Sequence, residues 1–185
     1  MTAELVRRAQ AGDHAAFTAL ATASVSRLHR IARLILRDEE RAGDAVQEAL
    51  VNAWLDIAAV RDPERFDAWL HRLLVRACYR EADRHRRRRI VEIQMPPLDL
   101  PHPGDGGHEL ANRDLLERGF RHLTPEHRAV LVLRHYLGLP DDEAATVLGI
   151  PAGTFKSRLH RATAALRAAI EADERAPKGA RESVS

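Results

Sequence analysis

Between Met95 and Glu109 the chain reads MPPLDLPHPGDGGHE, with Pro96, Pro97, Pro101, Pro103, Gly104, Gly106 and Gly107 close together. No helix continues through such a run, because each proline removes a backbone donor and its ring clashes with the preceding turn; a strand is interrupted for the same lack of a donor. On either side, apolar residues recur at intervals of three and four, Ala, Leu, Arg and Glu are abundant, and β-branched or aromatic runs are few. The expectation is an all-α protein: two small helical domains joined by a flexible linker. The boundaries fall at 1–90 for the first domain, 91–108 for the linker, 109–175 for the second domain and 176–185 for a frayed tail. With 185 residues, 45% of them hydrophobic, each domain can bury a core.

Local signals divide each domain further. A first helix ends at Gly12, and Asp13 can cap a second helix with Phe17, Ala21, Leu28, Ile31 and Ile35 on one stripe. Asp38 can cap a third, running to about Ile57, and Asp62-Pro63 starts a fourth that buries Phe66, Trp69, Leu70, Leu73 and Ala77. After the linker, Thr124-Pro125 is a start signal and Gly138 a stop. A short helix follows from Asp141 to Leu148, and a last one from Ala152 to about Ala172.

The segment DDEAATVLGIPAGTFKSRLHRA has the form of a helix-turn-helix: Ala145 is small where the second helix must cross closely, and Gly149 stands where the chain reverses. On the second of these helices Phe155, Leu159, Ala162, Leu166 and Ile170 share one face. At about 100° per residue, Thr154, Ser157, His160 and Arg161 point away from it, with Lys156 and Arg158 on the flanks. A major groove admits one helix, hydroxyls and guanidinium groups read base edges, and flanking cations hold phosphates. Those six residues are the candidate duplex-DNA contacts.

Net charge is only +2, so the distribution of charge carries the argument. Residues 69–90 hold eight Arg against Glu81 and Asp83, whereas Asp38, Glu39, Glu40, Asp44 and Glu48 face Arg41 alone. In the fourth helix Arg72, Arg76 and Tyr79 line one flank, with Arg84, Arg86 and Arg87 further on. Cations that track a backbone and a ring that stacks on an unpaired base suit single-stranded or distorted DNA. In the third helix Asp44, Glu48, Val51 and Leu55 lie opposite the buried stripe of Val46, Ala49, Leu50, Ala53 and Ile57, which suggests a protein-binding patch.

Three stretches together, DAVQEALVNAW (Asp44 to Trp54), FDAWLHRLL (Phe66 to Leu74) with its Arg-rich sequel, and LTPEHRAVLVLRHYLGLPDDEAATVLGIPAGTFKSRLHRA (Leu123 to Ala162), resemble the short extracytoplasmic-function sigma factors of bacterial RNA polymerase. The resemblance spans roughly residues 10 to 170. It implies that 1–90 is sigma region 2 and 109–175 sigma region 4, and that Asp44, Gln47, Glu48 and Asn52 dock on the coiled coil of the polymerase's largest subunit, beside Val51 and Leu55. It further implies that Arg72, Arg76, Tyr79, Arg80, Arg84, Arg86 and Arg87 engage the minus-10 promoter element while the helix-turn-helix reads the minus-35 element. The family usually has Asn where Arg76 stands. The implied partners are core polymerase and promoter DNA, with room for an anti-sigma factor.

A stand-alone helix-turn-helix regulator is the nearest alternative, and it leaves the patch on the third helix without a partner. For an enzyme, ten His residues are available, but there is no H-E-x-x-H, P-loop, paired-Cys motif or Ser-centred elbow. His102, His108 and Asp105 in the linker lack diagnostic ligand spacing. No catalytic residue, cofactor or metal is expected. The N-terminus lacks the apolar core of a signal peptide and no apolar run could span a bilayer; a single Cys78 allows no internal disulfide. Membrane insertion is therefore not expected, and a cytoplasmic location is.

Overall fold

The structure, a computed structural model, describes residues 2–91 and 116–175, all helix, turn or short connection without strand among them. The N-terminal half comprises α1 (Thr2–Gln10), α2 (His14–Leu36), α3 (Glu39–Leu55) and α4 (Phe66–Val91), with 3₁₀ turns at Ile57–Ala59 and Pro63–Arg65. The C-terminal half comprises α5 (116–121), α6 (Pro125–Leu131) prolonged by a π turn at Val132–Tyr136, α7 (Asp141–Leu148) and α8 (Ala152–Arg175). Val91, assigned from sequence to the linker, is the last residue of α4; the rest of the proline- and glycine-rich linker, with His102, Asp105 and His108, and the tail lie outside the described residues.

The caps explain where helices start. The carboxylate of Asp13 accepts from the Ala16 N–H at 3.0 Å, that of Asp38 from the Arg41 N–H at 2.9 Å, and the Thr124 hydroxyl from the His127 N–H at 3.3 Å, each meeting a donor that the first helical turn cannot satisfy internally. Gly149 ends α7 at φ +68°, where its N–H and that of Ile150 return to the carbonyls of Thr146 and Ala145. This left-handed closure is the turn of the helix-turn-helix, and a residue with a Cβ would be strained there.

In the N-terminal half α3 packs on both α2 and α4. Its face toward them is mostly alanine (Ala42, Ala45, Ala49, Ala53), so the three helices approach closely, and Leu28, Ile31, Ile35, Phe66, Leu70 and Leu74 fill the space between them. In the C-terminal half α8 crosses α6 and α7 through Phe155 and Ala162. Gly119 of α5 is required by this packing: a Cβ there would come within 2.8 Å of Leu166 Cδ1.

Some stripe assignments shift by a position. The core face of α2 begins with Ala16, Leu20 and Ser24, leaving Phe17 and Ala21 half-buried. On α4 the deep residues are Leu74, Val75 and Cys78, while Trp69 and Leu73 are half-buried, and on α8 Leu159, Leu166 and Ile170 are half-buried too. The cause is common: a long helix contacts only some neighbours along its length, so a sequence stripe overstates its buried part.

The halves also meet. α4 packs on α6 and α7, α2 packs on α6, and Leu28, Phe66 and Leu74 belong to one contiguous apolar core with Val130, Leu133 and Phe155.

Candidate nucleic-acid interface

On α8, Thr154, Lys156, Ser157, His160 and Arg161 are exposed together, while Phe155 is fully buried beneath them. Ser157 donates to the Thr154 carbonyl at 3.0 Å, and Arg161 Nε to the Ser157 carbonyl at 3.3 Å. Arg158 differs. It is half-buried and turned toward the N-terminal half, beside the Tyr79 hydroxyl.

The residues assigned to melted DNA separate into groups. Arg76, Arg86 and Arg87 are exposed, Arg86 donating to Asp83 at 3.0 Å within its own helix. Arg80 and Arg84 instead converge on Glu48 of α3: Arg80 Nε donates to Oε1 at 2.5 Å and Arg84 Nη2 to Oε2 at 2.8 Å, with Arg84 also bonded to the buried Glu81. Partial burial opposes ionisation of Glu48, but the two guanidinium groups outweigh it and hold its carboxyl below the ordinary value. A proposed polymerase contact is thus paired with two proposed DNA contacts, a relation the sequence did not reveal. Arg72 and Tyr79 are half-buried under the C-terminal half. The Tyr79 hydroxyl is sealed from solvent without a well-formed hydrogen bond, and burial pushes it up to about 12.

The opposite side of α3 is open. Phe17, Val25, Val46, Leu50, Val51 and Trp54 line an apolar groove of about 570 Å³ between α2 and α3. Trp54 is stacked against His14 at 4.5 Å and edge-on to Phe17 at 5.0 Å. Val51 and Leu55 are 51% and 70% exposed, unusual for such side chains, and Asp44 and Gln47 are exposed beside them, with Asn52 half-buried. Sequence reasoning found the rim of this groove but placed Phe17 and Leu50 in the core; both have one side in the core and one on the groove.

Three buried titratable groups lie outside the sites assigned from the sequence, which did name Cys78 but not His71 or Arg128. His71, 5% exposed on α4, is lowered to about 4 by burial and by the nearby Arg27 cation, against the weaker pull of Asp67. Arg128 of α6 is 9% exposed; burial and the cations of Arg37 and Arg41 lower it to about 10. Cys78 is fully buried, and burial raises its thiol to about 12, so the side chain is inert packing at neutral pH. Among the described residues no cluster of His, Cys, Asp and Glu could hold a metal, and no helix is long and apolar enough to cross a membrane.

The comparisons with known proteins agree with this arrangement. Residues 20–88 match the family model of sigma-70 region 2, and residues 113–166 that of sigma-70 region 4. These two regions, in this order, define a promoter-specificity subunit of bacterial RNA polymerase. The ECF RNA polymerase sigma factor SigM of Mycobacterium tuberculosis is 34% identical over 165 residues, covering 89% of this chain and 82% of that protein. RNA polymerase sigma-E factor of Streptomyces avermitilis is 35% identical over 144 residues, covering 78% and 79%. Among solved structures, CnrH in complex with the cytosolic domain of CnrY is 30% identical with a TM-score of 0.64, covering 93% of this chain and 98% of that one. The sigma factor RpoE of Bartonella quintana, solved with the anti-sigma factor NepR, shares the fold at 21% identity and a TM-score of 0.67, covering 85% and 98%. The chain belongs to the extracytoplasmic-function sigma factors.

Proposed function

We propose that this sigma factor gives core polymerase its choice of promoter through three surfaces of its own. The groove between α2 and α3, rimmed by Asp44, Gln47, Val51, Asn52 and Leu55, receives the coiled coil of the polymerase's largest subunit. Arg72, Arg76, Tyr79, Arg86 and Arg87 on α4 take the minus-10 strand, with Arg80 and Arg84 available once they leave Glu48. Thr154, Lys156, Ser157, Arg158, His160 and Arg161 on α8 enter the major groove at minus-35. The chain contributes no catalytic group; phosphodiester chemistry belongs to the polymerase.

The observation that carries this reading is the open apolar groove of α3, in the same molecule as a helix-turn-helix with an exposed polar and cationic face. A stand-alone regulator has no use for that groove. An anti-sigma factor competing for the same surface, in a cytoplasmic setting, fits the partner-bound states in which similar sigma factors were solved. Run-off transcription with purified core polymerase on a genomic fragment library tests the proposal. New start sites that appear only with the chain are the expected result, and an unchanged start-site pattern rejects it.

A further inference from the structure

Arg128 is 9% exposed on α6, the helix of the C-terminal half that packs on α2, and its Nε is sealed from solvent without a hydrogen bond. Two more guanidinium groups lie near it on the N-terminal half. Arg37 ends α2 at φ +58°, the one positive φ among the described non-glycine residues, and this reversal sets the first turn of α3, with Arg41, directly after it. Arg37 Nη1 donates to the Glu117 carbonyl of α5 at 2.6 Å, which holds the side chain toward the C-terminal half. Arg41 Nε lies 3.0 Å from Asp38 Oδ2 and is likewise sealed without a well-formed hydrogen bond. The Asp38 carboxylate is shared between that contact and the Arg41 N–H that it caps at 2.9 Å. Arg37 and Arg41 act on Arg128 more strongly than the carboxylate of Glu126 does.

From this convergence we infer that Arg128 and Arg41, in the positive field of Arg37, form a binding site for a small phosphate-bearing anion, made of residues assigned to neither promoter nor polymerase. A buried cation with its donors unfilled is costly, and a bound anion removes that cost. The planar fork of a guanidinium group meets two phosphate oxygens at once, which an ammonium group cannot do. Phosphate suits the cluster better than a carboxylate on two counts. Its charge approaches −2 at neutral pH, and its tetrahedral oxygens can accept from side chains that arrive from different helices.

The phosphate belongs to a small molecule rather than to a DNA backbone. With 9% of Arg128 exposed, a small oxyanion can meet the edge of its guanidinium group past the half-buried Arg37 and Arg41. A duplex could bring a phosphate to the same place only by parting α6 from α2. The exposed cations of α4 and α8, Arg76, Arg86, Arg87, Lys156 and Arg161, meet DNA without that rearrangement. Because the anion is held by residues of α3 and α6 together, its binding also stabilises the folded chain by mass action.

Titration of the full-length protein with inorganic phosphate, in chloride buffer at constant ionic strength and followed by calorimetry, tests the site without reference to transcription. Saturable binding with a dissociation constant of about 1 mM or tighter is expected, weakened about tenfold or more in Arg128→Met. Arg41→Gln, which leaves Arg128 in place, should weaken it as well and guards against mispacking of α6 in the first variant. No saturable binding by the wild type, or wild-type affinity in both variants, overturns the site. Acetate that binds as tightly as phosphate overturns the phosphate class. Saturating the protein with a duplex oligonucleotide should leave phosphate binding unchanged; its loss would assign the anion to the DNA backbone and overturn the small ligand. In urea melts, phosphate should raise the midpoint of the wild type more than that of Arg128→Met, a comparison that removes the general stabilising effect of phosphate as an excluded salt. Equal shifts overturn the link between the anion and Arg128.

Discussion

Glu48 of α3 bridges Arg80 and Arg84 of α4, one carboxylate oxygen to each guanidinium, at 2.5 and 2.8 Å. Arg80 and Arg84 lie 32 and 36 positions from Glu48 in sequence, and the bridge ties α4 to α3. While the bridge stands, Glu48 offsets the charge that Arg80 and Arg84 would present to a phosphate, so the bridge couples the α3 surface to the α4 surface.

Replacing Glu48 by Gln should therefore have two opposite effects. Stability falls by at most about 1 kcal/mol, since the partners are half-exposed and solvent screens them. Non-specific affinity for single-stranded DNA rises, because two cations are released. The sign of the pH dependence follows from the lowered carboxyl. The stabilisation is fully present above the unfolded value of about 4.5 and is lost as pH falls through the lower folded value. Urea melts of the wild type and Glu48→Gln should differ at pH 7 and converge as the pH falls below the lowered folded value; a difference that persists in acid contradicts the bridge.

His71 gives a second pH signature at higher pH. Its folded value of about 4 lies below the ordinary 6.5, because burial and Arg27 disfavour the cation. Between these limits the unfolded chain binds a proton that the folded chain refuses, so stability declines from pH 6.5 toward 4 and then levels off. The full decline is on the order of 3 kcal/mol, from a shift of about 6.5 to about 4. His71→Leu, which removes an imidazole whose Nε2 has no partner, should flatten the stability profile across that interval while costing little at pH 7.5. An unchanged profile assigns the slope to other groups.

What was legible in the sequence was whatever is decided locally. Asp13, Asp38 and Thr124 announce their helices because a cap acts within three residues, and Gly149 announces the turn because φ is a property of one residue. Partners set by the approach of distant helices were not legible. Phe17, Leu50 and Trp69 carry the same apolar signal whether they end in the core or at its edge, and only the tilt of α2, α3 and α4 decides. Glu48 and Arg84 carry charge that reads as a surface signal for outside partners until α3 and α4 are brought side by side. The contact between the halves left one trace, Arg128 immediately before the apolar run AVLVL, which is an odd position for a cation at the start of the buried part of its helix.

On the proposed minus-35 face of α8, base reading and phosphate binding should be separable. Arg161 is exposed and held by its own helix through Ser157; as a base contact, its replacement by Ala should cost about 1 to 3 kcal/mol on the cognate minus-35 sequence and much less on altered ones. Lys156, on the flank, should weaken every sequence alike when replaced by Ala and reduce the salt slope by about one. Holoenzyme binding across a promoter series at several salt concentrations reads both effects. Identical behaviour of the two variants would show that α8 enters the groove on a different face.

Arg128 is where removal of a charge should strengthen the molecule. At neutral pH it is a cation even with its value lowered to about 10, it is nine-tenths buried, and that burial, with the cations of Arg37 and Arg41, outweighs the pull of Glu126 on it. Met fills a similar length with no charge to desolvate. Arg128→Met should raise the stability of the folded chain by on the order of 1 kcal/mol. Urea melts of the wild type and the variant provide the check. A variant that is less stable than the wild type would mean that the Arg128 cation holds α6 in place.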